Sequence, residues 1–157
     1  MVRTPIIPVG RFRLGWIVLA AVLCLTAARP AHAQDTPKRM FGSGAGMVLN
    51  FIKPDKTADF EEVIAKLKEA LTASSDPVRQ QQGRSWKVFK SPDPAANNAV
   101  LYVFMIDPAV PNADYTVSTI LAEAFPAEVQ ALYEKYSGAY ASGQNFVNLS
   151  IVSDMGR

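Results

Sequence analysis

Beyond residue 46 the hydrophobic positions switch repeatedly between two periods. Met47, Leu49 and Phe51 alternate with Val48, Asn50 and Ile52 over residues 47–53, the two-residue period of a strand that Pro54 stops. Phe60, Val63, Ile64, Leu67, Ala70 and Leu71 then recur at helical spacing, which predicts an amphipathic helix over Thr57–Ala73 with one buried stripe. Thr57 or Asp55 can cap it, and Asp59, Glu61 and Glu62 sit at its positive end. Asp76-Pro77 opens a short second helix through Gln82, ending at Gly83. Residues 85–90 read as a second strand, with Trp86 and Val88 facing opposite to Phe89.

The turn-rich residues 91–98 suit a hairpin, and residues 99–106 are eight consecutive apolar or aromatic side chains. Such a run predicts a strand buried on both faces. Residues 107–112, with two prolines, form a rigid loop. Val117, Ile120 and Leu121 point inward from a helix over residues 115–125, which Pro126 kinks or ends. A further helical segment over residues 127–141 carries Val129, Leu132, Tyr133, Tyr136 and Tyr140 on one side, and Gly143 closes it. The last strand is expected over residues 145–153, with Val147, Leu149 and Ile151 alternating with Phe146, Asn148 and Ser150.

The order β-α-β-β-α-β predicts an α+β fold: a ferredoxin-like, four-stranded antiparallel sheet with helices on one face. Residues 47–155 thereby resemble the dimeric α+β barrel superfamily, on element order and apolar pattern. The resemblance implies that two subunits pack sheet against sheet, and that small apolar substrates or haem bind between sheet and helices. Haem-binding members use a histidine ligand. The pattern argues for a homodimer independently, because two helices cover only one face while Val100, Tyr102, Phe104 and Ile106 on one side and Leu101, Val103 and Met105 on the other are all apolar or aromatic. A lead-in or loop folded over the open face is the monomeric alternative.

The first 33 residues change the chemical picture. Arg3, Arg11 and Arg13 precede an apolar run over residues 14–25, followed by Ala31-His32-Ala33, the layout of a signal peptide cleaved after Ala33. The run is short for a membrane anchor, and Val22-Leu23 before Cys24 do not suit a lipoprotein leader. The expected protein is periplasmic or secreted, with no membrane attachment after cleavage. Residues 34–46, polar and then glycine-rich, read as a flexible lead-in to a single domain over residues 47–157.

Cleavage removes Cys24 and His32, the only cysteine and the only histidine. Disulfides are then impossible, no metal site or cofactor is expected, and haem ligation of the ordinary kind lacks its histidine. Four of the 16 Lys and Arg residues and none of the 14 acids lie in the leader, so the remaining balance is 12 − 14 = −2. A mildly acidic domain without a basic cluster gives no case for nucleic acid.

Candidate chemistry is sparse. Asp107, at the end of the most apolar strand, could be a desolvated general base, or could simply bond the following loop. Asn50, Asn148 and Ser150 interrupt apolar strands and, if the first and last strands pair, could line a polar spot in a ligand cavity together with a tyrosine such as Tyr102. Arg79, Gln80, Gln81, Gln82 and Arg84 could recognise a carboxylate or be a solvated helix turn. Three functions fit: a small exported dimeric domain that binds an apolar ligand or serves as an accessory without catalysis; a cofactor-independent oxygenase or isomerase; and an envelope protein–protein interaction module.

Overall fold

The computed structural model describes residues 38–156. The expected signal peptide and its cleavage site lie outside the described residues. The sheet is built from β1 (Ala45–Ile52), β2 (Trp86–Pro94), β3 (Val100–Ile106) and β4 (Tyr140–Leu149), in the order β2-β3-β1-β4 with every neighbouring pair antiparallel. Helices α1 (Thr57–Ala73) and α2 (Pro77–Ser85) connect β1 to β2, and α3 (Val117–Ala124) and α4 (Val129–Ala139) connect β3 to β4. This is the ferredoxin-like α+β fold.

Register decides which side chains meet the helices. Asn50 stands between Tyr102 and Gln144, and Val48 between Phe104 and Phe146. On this face Ile52, Phe104 and Ile106 are buried under Phe60, Val63 and Leu67 of α1, Ile120 and Leu121 of α3, and Leu132 and Tyr136 of α4. Phe60 is central, with its ring 4.8 Å from Tyr102 and 5.9 Å from both Tyr136 and Tyr140.

The opposite face carries Met47, Leu49 and Phe51, then Leu101, Val103 and Met105, then Val147 and Leu149, with Phe89 on β2. Their strand neighbours leave most of them only partly buried, and Phe89 is 52% exposed. The expectation that β3 is buried on both faces therefore fails within one chain: helices cover only the side of Tyr102, Phe104 and Ile106.

Several boundaries differ from the sequence pattern. Neither Thr57 nor Asp55 caps α1; a 3-10 turn over Pro54–Lys56 leads into it instead. Asp76 does cap α2, its Oδ1 accepting from Val78 N at 2.8 Å, and α2 runs past Gly83 to Ser85. The β2–β3 hairpin turns at Asn97 and Asn98, both at φ 57°, a left-handed conformation that asparagine tolerates. Residues 125–128 separate α3 from α4, with Pro126 in the break. Strand β4 begins at Tyr140, not residue 145, so Gly143 lies inside it.

The lead-in is not a loose linker from residue 39 onward. Tyr115 N donates to Arg39 O at 2.8 Å, Ala109 N to Gly44 O at 2.8 Å, and Arg39 N to Asp114 Oδ1 at 3.0 Å. Phe41 is 7% exposed, stacked on Phe146 at 4.1 Å and edge-on to Tyr115 at 5.1 Å. Its ring occupies the space above Gly46, where an added Cβ would fall inside it. Spaced glycines that suggested flexibility are, at Gly46, the condition for packing an aromatic anchor.

Candidate functional site

On α1, Glu61, Ile64, Ala65, Lys68, Leu71 and Thr72 recur three and four residues apart and form one face. That face does not close on the sheet. Between it, α2 and the edge strand β2 lies a cleft of about 470 Å³, whose far wall is Trp86, Val88 and Tyr102. The volume is within the range of small-molecule sites, which run from about 300 to 1,000 Å³. Gly83 explains the close approach of α2 at one side: a Cβ there would stand 3.1 Å from the Cβ of Leu71.

The walls are mainly aliphatic and aromatic, and polar groups gather at the two ends. At one end Tyr102 OH donates to Glu61 Oε1 at 2.5 Å, and Lys90 Nζ donates to the same oxygen at 2.9 Å. The Lys90 ammonium also lies 5.5 Å from the centre of the Tyr102 ring. The Tyr102 hydroxyl and then Lys90 hold the Glu61 carboxyl below its usual range. Burial, then the neighbouring carboxylate, pushes the Tyr102 phenol up, and Glu61 raises Lys90. All three shifts keep Glu61 ionised and both donors protonated. In the wall, the indole N–H of Trp86 is buried without an acceptor, which costs about 1–3 kcal/mol.

A second polar cluster lies under α4. Asn50 is fully buried; its Nδ2 donates to the carbonyls of Val48 and Tyr102, each at 3.2 Å. Its Oδ1 accepts from Tyr140 OH at 2.9 Å and Gln144 Nε2 at 2.8 Å. Gln144 Nε2 also reaches the hydroxyls of Tyr136 at 2.7 Å and Tyr140 at 2.6 Å, while Arg39 donates to Gln144 Oε1. Burial pushes both phenols above their ordinary value. Every polar atom of Asn50 is thus committed to internal bonds, the arrangement of a network that fixes helix against sheet.

The expected site residues are therefore divided among different places. Tyr102 reaches the cleft with its hydroxyl, and its backbone carbonyl meets Asn50. Asn148 shares the helix-side face of Asn50, but its Oδ1 accepts from Gly42 N at 2.8 Å and so anchors the lead-in. Ser150 lies past the end of β4 and is exposed. Asp107 is exposed at the end of β3, joined to Pro108 by a cis peptide, and does not line the cleft; it is not the desolvated carboxylate expected from the apolar strand before it.

Arg79 of the polar cluster on α2 is occupied by Glu123 (2.9 and 3.0 Å) and by Asp114 O at 2.6 Å, with Gln82 buried beside it. It ties α2 to α3 and to the loop before it. The residues that sequence reasoning missed are Glu61, Lys68 and Trp86. Their signal was the second helical stripe, Glu61-Ile64-Ala65-Lys68-Thr72, flanking the buried one. Among the described residues no three acids come together as a metal cluster, and no helix is long and apolar enough to cross a membrane. No protein-family model, curated protein or solved structure matches the chain.

Proposed function

We propose that this protein is an exported, homodimeric ligand-binding domain that holds a small apolar molecule between α1 and the β2–β3 edge without chemically transforming it. The observation that carries the reading is the apolar-walled cleft of about 470 Å³, open beside a fully packed core. Binding is favoured over turnover because the polar groups nearest the cleft are mutually neutralised. Glu61 is held ionised by Tyr102 and Lys90, which leaves it a weak proton acceptor.

Self-association is supported by the open sheet face. In flat projection the sheet measures about 20 by 23 Å, from the spacing of strands and residues. A stable interface needs about 800 Å² per partner, so side-chain relief and flanking segments must add to that area. The segment after β4 is suited to do so: Ile151, Val152 and Met155 follow directly from Leu149 and are each more than 80% exposed.

The test of the binding function is a cleft-filling variant. Ala65 is exposed on the cleft wall, so Ala65→Phe fills space without disturbing the core. Native mass spectrometry of the protein recovered from its host is expected to find a retained small molecule in wild type and none in the variant. Equal retention by both would contradict the assignment of the cleft.

A further inference from the structure

We propose that the cleft takes a free, single-chain anionic amphiphile, with its carboxylate at the Lys68–Arg84 end and its apolar body against Ile64, Leu71 and Trp86. The inference rests on the reading of the cleft as a binding site and adds the ligand's charge and orientation. Charge placement is what decides it. A smaller groove of about 260 Å³, lined by Gln80 and Arg84, shares Leu71, Thr72 and Gly83 with the cleft.

Several cations near α1 have acidic partners: Lys56 with Asp59, Lys66 with Glu69 and Glu128, Arg79 with Glu123, and Lys90 with Glu61. Lys53 and Arg39, away from the cleft, bond the Gly138 carbonyl and the Gln144 amide. Lys68 and Arg84 make no ion pair among the described residues; Lys68 lines the cleft and Arg84 the neighbouring groove that shares its Leu71, Thr72 and Gly83 wall. Glu69, next to Lys68 in sequence, is turned to Lys66 at 3.5 Å. The opposite end holds the Glu61–Lys90 pair, which carries no net charge, so the uncompensated positive charge at Lys68 and Arg84 sets the direction. Seven residues of helix separate Glu61 from Lys68, about 10 Å along the axis. An apolar chain of that length or more spans from the neutral Glu61–Lys90 end to the carboxylate-attracting one. A cationic head would meet the reverse arrangement, with its one acid already paired to Lys90.

Trp86 provides the readout, because Trp16 is the only other tryptophan. Protein expressed from the full sequence carrying Trp16→Phe, so that Trp86 is the sole tryptophan whether or not the leader is cleaved, is titrated with decanoate, decanol and decyltrimethylammonium below their micellar or solubility limits, following Trp86 emission. Decanoate is expected to bind about tenfold more tightly than either other probe, the effect of two exposed ion pairs. In the Lys68→Gln/Arg84→Gln variant that preference is expected to vanish while decanol binding is unchanged. Equal affinity for decanoate and decanol in the parent protein would overturn the charge inference and leave the cleft reading standing. Failure of all three probes to perturb Trp86 would overturn both.

Discussion

At the scale of single residues, two positions carry consequences that composition conceals. Phe41 lies directly on Gly46, so Gly46→Ala must expel or tilt an anchored ring. The expected cost is about 1–3 kcal/mol in urea unfolding, typical of overpacking. The same substitution at Gly143, where nothing lies within 4 Å of an added Cβ, serves as the control. Tyr140 makes a different prediction. Burial raises its phenol above the unfolded value of about 10, so the folded state keeps its proton where the unfolded chain loses it. Its stabilisation is complete below about pH 10 and declines as pH rises above that, by up to about 1.4 kcal/mol per pH unit. Tyr140→Phe is expected to flatten the alkaline fall in unfolding free energy by up to that slope while lowering stability at neutral pH. An unchanged alkaline slope would contradict the buried network.

At the scale of elements, α2 is the piece whose placement builds the cleft. Its start depends on the Asp76 carboxylate bonded to Val78 N, and Asp76→Ala is expected to cost about 1 kcal/mol. Hydrogen exchange should report that loss first in α2, with Trp86 emission changing as the cleft wall loosens. The same element shows what the sequence could reveal. Asp76-Pro77 announced the helix because capping chemistry is local, and the stripe from Phe60 to Leu71 announced α1 because burial follows a period. Tyr140 was misplaced on a helix because its ring continues the apolar side of α4 while its backbone has already entered β4. Asn148 and Asp107 were misread for a related reason: the partner of one is the backbone of residue 42, and the solvent around the other depends on a loop, and neither leaves a trace in spacing. The cleft was invisible because it arises from two elements failing to meet.

At the scale of the whole molecule, the sheet divides the protein into a finished half and an unfinished one. The helix side buries Phe60, Phe104, Ile52 and Ile106 completely. The other side exposes a belt of Met, Leu, Val and Phe interrupted by Lys87 on β2 and Asn145 on β4. In the proposed homodimer a second copy would turn the same belt inward and satisfy both with one two-fold contact, since edge polar groups would then stay at the rim. Val103 sits on β3 between Leu49 and Phe89, at the middle of the belt, and a charge there would be buried unpaired in such a contact.

The proposed sheet-to-sheet contact is the claim on which the assembly depends. Sedimentation equilibrium of the purified protein over about 1–100 μM tests it, because that range spans micromolar dissociation constants. Wild type is expected to sediment at twice the chain mass, and Val103→Glu as a single chain with unchanged helical circular dichroism. A wild-type protein that stays monomeric throughout, or a Val103→Glu variant that remains a dimer, would contradict the account.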